Sequence, residues 1–233
     1  QMAGRVRMSF DVATTALWVL PLLLAVVCHE VSHGYVAYRL GDPTAAVLGR
    51  LTLNPIPHID PVGSVLIPLM SLALSGSVFI AWAKPVPVNP MFFRRPRRDD
   101  MLVSVVGPAS NVLMAFVCSL LFIGTAFVAR RVDLSAPLLD EIFQFFLKMF
   151  YGGVTLNVVL ALFNMIPVPP LDGSHVLASV LPDDLAARYR KVGFFGIILL
   201  LILLRWEPFA AGFSWVIGTA AYPFTYLMYL ATA

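Results

Sequence analysis

Long apolar stretches alternate with short polar ones along the chain. Residues 12–40, 62–82, 101–128, 142–166, 185–204 and 209–230 are each predominantly apolar. Each supplies the ~20 positions that a helix needs to cross a ~30 Å hydrocarbon core. The pattern predicts an all-α polytopic membrane protein, a bundle of about five to six membrane helices. Two of the intervening stretches read differently. Residues 41–61 are rich in Pro, Gly and Asn, and 47–53 within them have strand-forming composition. Residues 84–90 read KPVPVNP, whose prolines exclude a helix. These two stretches are expected as short β-strands at the membrane face, pairing as an edge ribbon that could hold an extended peptide.

Composition narrows the class. With 59% hydrophobic and 12% charged residues and a mean hydropathy of +0.85, nearly the whole chain lies in or against a lipid bilayer. A net charge of +3 could suggest nucleic acid. The basic residues, however, fall between apolar segments, where membrane topology explains them, so no nucleic-acid partner is expected. Cys28 and Cys118 both sit inside apolar runs and read as core residues rather than a disulfide. One domain over residues 1–233 is expected, with a core at about 10–181 and additional C-terminal helices at about 185–231.

The chemistry begins inside the first apolar segment, where His29, Glu30, Val31, Ser32 and His33 spell HExxH. Residues four apart share one helical face, so both imidazoles can reach one ion with Glu30 beside it. Charged groups in lipid cost on the order of 2.5–3.5 kcal/mol each, which makes such a cluster functional by default. A proton relay or a helix–helix hydrogen-bond network is the alternative use of the same residues. A catalytic zinc needs three protein ligands and an open position. Asp172 is the candidate third ligand. It lies in FNMIPVPPLDG (163–173), where Pro167, Pro169 and Pro170 break the fourth segment and Gly173 lets backbone approach closely.

Together these motifs resemble the site-2 protease family of intramembrane zinc metalloproteases. Asn164, Pro167, Leu171, Asp172 and Gly173 are similar to the family's NxxPxxxLDG segment, and GPASN at 107–111 to its GPxxN. NPIPHIDPVG at 54–63 and WAKPVPVNP at 82–90 resemble the compact bacterial-type branch without an extra regulatory domain. The resemblance implies one Zn2+ on His29, His33 and Asp172, with Glu30 as general base and a transmembrane-helix protein as substrate. An oxyanion donor is also needed. Asn164 is the first candidate and Asn111 the second, although either could instead join neighbouring helices. His58 and Asp60 read as mainly structural. Many members have Gly-Arg after the LDG, whereas this chain has Ser174 and His175. No role of that arginine carries over, and His175 is expected in an outer or interfacial position.

Two rival functions use the same residues: a metal-ion or proton transporter, and a binder of membrane helices that does not cleave them. A transport pathway spreads ionisable groups over several depths, whereas these gather near one, and a mere binder has no use for Glu30.

Shared depth also constrains topology. His33 lies seven residues before Leu40, or ~10 Å, and Asp172 directly follows the fourth segment, so the first and fourth segments run in the same direction. One intervening segment then fails to cross. Residues 62–82, with Pro68 and Gly76, are expected to be re-entrant. The basic residues from Arg39 to Arg98 and from Arg188 to Lys191 then share a side, ten against the six of Arg5, Arg7, Arg130, Arg131, Lys148 and Arg205. The richer side should be cytoplasmic, which puts the zinc site nearer the cytoplasmic face of the cell membrane.

Overall fold

A computed structural model describes residues 12–66, 70, 83–133, 135–193 and 195–232. The helices are α1 (Val12–Arg39), α2 (Thr44–Val47), α3 (Pro96–Ala129), α4 (Pro137–Asn164), α5 (Asp172–Val180), α6 (Asp183–Arg190), α7 (Phe195–Arg205) and α8 (Glu207–Thr232). α1 stops where its apolar run stops. Gly41 takes φ +111°, which favours glycine, Asp42 N reaches back to Ala37 O at 2.9 Å, and Pro43 cannot extend the ladder. α3 and α4 each open on a proline, at a position whose N–H has no partner within the helix.

Among the described residues, α1, α3 and α4 are long and apolar enough to cross a membrane. α7 and α8 are bent by 89° at Trp206 and make a fourth span if the pair is counted as one. This is fewer than the sequence pattern implied. Residues 185–204 do not form one membrane-length helix because their first part is charged. α6 (DDLAARYR) stands alone, Gly193 takes φ +47°, and α7 keeps 11 residues, or about 16 Å of rise. The re-entrant segment expected at 62–82 lies, apart from 62–66 and 70, outside the described residues.

The short strands are corrected: no strand occurs among the described residues. Thr44–Val47 closes a helical turn instead, ended by Gly49 at φ +65°. Residues 83–89 run without regular structure and form no ladder. Pro85, Pro87 and Pro90 have no N–H to give, and the amides of Val86 and Asn89 go to side chains instead.

Helix direction follows from side-chain pairing. His33 bonds Val103 on α3, and His29, one turn earlier, bonds Asn111, two turns later, so α1 and α3 are antiparallel. The chain therefore leaves α1 and enters α3 on one side of the bundle. Small residues permit the packing: Ala115, Cys118, Val154, Val158 and Ala221 form the core of α3, α4 and α8 with Met228. A Cβ on Gly153 would lie 2.8 Å from Cys118 Sγ. Lipid gives helices no hydrophobic drive to associate, so this close approach supplies the contact. Leu22, Leu23, Leu24, Leu113, Leu120 and Phe127 are exposed, as surfaces facing acyl chains would be. Both cysteines are free thiols.

Candidate metal centre

The four-residue spacing on α1 stacks His29 and His33 on one face, with ring centroids 4.6 Å apart and both side chains buried. Each ring is fixed by its Nδ1. His33 Nδ1 lies 2.7 Å from Val103 O, an acceptor only, so Nδ1 carries the proton and Nε2 presents a lone pair. His29 Nδ1 lies 2.6 Å from Asn111 Oδ1. Asn111 itself donates through Nδ2 to Ala25 O and to Asn157 Oδ1. Its Oδ1 is thus the acceptor, and His29 also presents a bare Nε2. Asn157 completes the chain by donating to Gly153 O at 2.8 Å.

Asp172 arrives from the other end of the sequence. The prolines after α4 turn the chain, and α5 begins against the end of α4. A Cβ on Gly173 would lie 2.3 Å from Met165 O, so only glycine permits this crossing. The turn places Asp172 Oδ2 3.1 Å from His29 Nε2 and 3.4 Å from His33 Nε2, while the two Nε2 atoms are 3.0 Å apart. Among the described residues these three form the group able to hold a metal ion. Three electron-pair donors converge with no proton assigned between them, and Asp172 Oδ2 is buried without a hydrogen-bond partner. Such an arrangement repels itself unless a cation joins it. Zinc ligands at ~2.0–2.1 Å in tetrahedral geometry lie ~3.3–3.4 Å from one another, close to the observed spacing. The donor set of two imidazoles and one carboxylate fits zinc.

Gly107, from the GPASN motif, explains why α3 can approach. A Cβ there would fall 2.4 Å from His33 Nε2 and 2.7 Å from His29 Cε1. The motif was legible but this role was not, because nothing in the sequence says that α3 lies directly over the histidines. Asn157 lay outside every motif. Its signal was a buried amide in a spanning helix, a polar group that needs a partner there.

The remaining candidates are dispersed. Glu30, half-buried, accepts the backbone N–H of Val86 on Oε2 at 2.7 Å. Asn164 Nδ2 donates to Leu160 O of its own helix at 3.0 Å. Asn111 holds His29. His58 is buried in its loop with Nε2 2.9 Å from Thr52 O, and Asp60 Oδ1 accepts from Val62 N and Gly63 N. His175 pairs with Asp100 at 3.2 Å rather than joining the trio, and Arg190 lies 3.5 Å from the same carboxylate oxygen. The hydrogen bond that His175 donates to Asp100 raises the His175 pKa above its ordinary value.

Comparison with known proteins extends this geometry. The profile of Peptidase family M50 matches residues 17–204. The protein named "Putative zinc metalloprotease YwhC" of Bacillus subtilis (strain 168) is 38% identical over 186 residues, 79% of this chain and 78% of that one. "Putative zinc metalloprotease Rip2" of Mycobacterium tuberculosis (strain H37Rv) is 30% identical over 196 residues, 82% of this chain and 66% of the relative. The protein of the same name from Mycolicibacterium smegmatis is 28% identical over 199 residues, 81% of this chain and 67% of its own. No solved structure matches the chain at a significant level.

Proposed function

Because this chain belongs to peptidase family M50, the site-2 protease family, we propose that it is an intramembrane zinc metalloprotease that hydrolyses peptide bonds of transmembrane-helix proteins within or beside the bilayer. His29, His33 and Asp172 hold the ion. Zinc, when bound, supplies a Lewis acid that polarises a peptide carbonyl and acidifies water. Glu30 takes the proton from the attacking water and returns it to the leaving amine. Asn164 is the oxyanion donor in this scheme. An amide NH2 has two hydrogens, and the bond to Leu160 O uses one.

The observation that carries the reading is the meeting of two bare imidazole nitrogens and a partnerless carboxylate oxygen beside a glutamate, on helices built for lipid. A substrate helix hides its carbonyls in its own hydrogen bonds, so it must unwind locally to be cut. The whole of residues 1–233 acts as one protease domain, a core at about 10–181 with additional C-terminal helices. The side richer in Lys and Arg faces the cytoplasm, with the site about 10 Å inside that end of α1.

The test is cleavage of a model transmembrane substrate by the purified protein. Loss on chelation, recovery with zinc, and an inactive Glu30→Gln variant that keeps its metal are expected. Undiminished cleavage by Glu30→Gln would refute the assignment of the base.

A further inference from the structure

Residues 83–89 have no strand partner, yet their backbone is fastened from four directions. Lys84 N donates to His58 O at 2.9 Å, and Arg50 Nη2 donates to Lys84 O at 2.9 Å. Val86 N donates to Glu30 Oε2 at 2.7 Å, and Asn89 N to Asp42 Oδ2 at 2.6 Å. Two of the fasteners are buried charges, Asp42 at 0% exposure and Arg50 at 7%. Burying such groups costs several kcal/mol per ion even after relaxation, and neither forms an ion pair among the described residues. What they share is this one segment. Asp42 is itself pinned, since its Oδ1 accepts from Thr44 N and Thr44 Oγ1. Gly34, next to His33, lets the segment lie against α1: a Cβ there would sit 2.7 Å from Val86 Cγ1.

We propose that Asp42 and Arg50 are positioning residues for peptide hydrolysis, holding residues 83–89 so that the Val86 backbone N–H orients the Glu30 carboxylate. This rests on the reading of Glu30 as the base. A carboxylate torsion is broad when nothing constrains it. One fixed N–H on Oε2 sets its direction and leaves Oε1 to take the proton. Pro85 and Pro87 have no N–H, so Val86 is the only amide donor across these three residues.

The test compares Arg50→Gln, Arg50→Lys, Asp42→Asn and Val86→Pro, with Met91→Ala, at an exposed side chain just past the segment, as control, in the full zinc-loaded chain. Val86→Pro removes the donor and leaves both buried charges in place, so it decides the matter even if the charge variants fold poorly. Expected is a kcat per bound zinc lower by about 10- to 100-fold with KM changed by less than about twofold. Hydrogen exchange of the peptide spanning 83–89 should quicken in the Arg50 and Asp42 variants. Arg50→Lys, which still offers a donor to the carbonyl, should recover part of kcat, and Met91→Ala should keep it. Faster exchange with an unchanged kcat per zinc in the charge variants, or an unchanged kcat per zinc in Val86→Pro, overturns the proposal. Failure of the underlying reading is distinguishable, because there Glu30→Gln itself would go on cleaving.

Discussion

Replacing Gly107 by Ala perturbs the metal centre through the packing of α3 over the two histidine rings. In a helix interior this change ordinarily stabilises by about 0.8–1.0 kcal/mol. Here the new Cβ would fall 2.4 Å from His33 Nε2, 2.5 Å from His33 Cε1 and 2.7 Å from His29 Cε1, where ordinary contact begins at 3.4 Å. About 1 Å must be found, either by α3 withdrawing from α1 or by the imidazoles turning away. Turning them breaks the bonds to Val103 O and Asn111 Oδ1. Withdrawing α3 stretches the same two bonds. A misplacement of 1 Å at a catalytic group costs on the order of 10²-fold, and loss of outer partners costs 10- to 100-fold in metal affinity on the same order-of-magnitude scale. Gly107→Ala should therefore lower zinc affinity and cleavage by roughly 10²-fold each, and the overpacking should cost the metal-free protein about 1–3 kcal/mol, outweighing the helix-propensity gain. Gly124, on the same helix with no atom within 4 Å of its added Cβ, is the control, and its alanine variant should be indistinguishable from wild type in zinc affinity and cleavage. Competition of a fluorescent chelator for zinc measures the affinity. Wild-type zinc affinity in Gly107→Ala would refute the placement of α3 over the two rings.

Three further outcomes follow from the same contacts. Asn111→Ala strips His29 Nδ1 of its acceptor and leaves Ala25 O and Asn157 Oδ1 without their donor; zinc affinity should fall about 10- to 100-fold and stability by about 1–3 kcal/mol, read by chelator competition and denaturation in detergent. Gly173→Ala drives a Cβ against the backbone at Met165, which cannot rotate away, so it should move Asp172 off the histidines and lower metal content more than Gly124→Ala does. His175 has a raised folded pKa, chiefly from its hydrogen bond with Asp100. Its stabilising pairing is fully present below the unfolded pKa of ~6.5 and is lost as pH rises through the folded value, so the melting difference between wild type and His175→Gln should be largest in acid and shrink above neutrality. A difference that grows with pH would contradict that pairing.

What the sequence disclosed and what it hid have physical causes. The His29–His33 pair was legible because the helical repeat alone puts residues four apart on one face, and Asp172 because prolines and a glycine mark a broken helix beside a carboxylate. The ligands had to share a depth, and Asp172 Oδ2 does lie 3.1 Å and 3.4 Å from the two histidine Nε2 atoms. The strands failed because residues 47–53 and 84–90 have β-like composition, whereas the amides of residues 47–50 turn back onto the carbonyls of residues 43–46 and the backbone of 84–90 is held by side chains far away in sequence, Glu30, Asp42 and Arg50. Residues 185–204 misled because an average over 20 positions smooths across the break at Val192 and Gly193, hiding a polar helix joined to a short apolar one. Gly107, Asn157 and the Val103 carbonyl were hidden for a third reason. Their roles exist only once α1, α3 and α4 are packed, and no local spacing records which helix faces which.

The central claim is that His29, His33 and Asp172 jointly hold one zinc ion, and zinc-edge X-ray absorption with metal analysis on purified wild type, Glu30→Gln and Asp172→Ala addresses it most directly. The account predicts about one zinc per chain in the first two, with two imidazole nitrogens and a carboxylate oxygen at ~2.0–2.2 Å, and loss of that oxygen shell together with most of the metal in Asp172→Ala. Zinc held by Asp172→Ala as tightly and with the same shell as in wild type would contradict it.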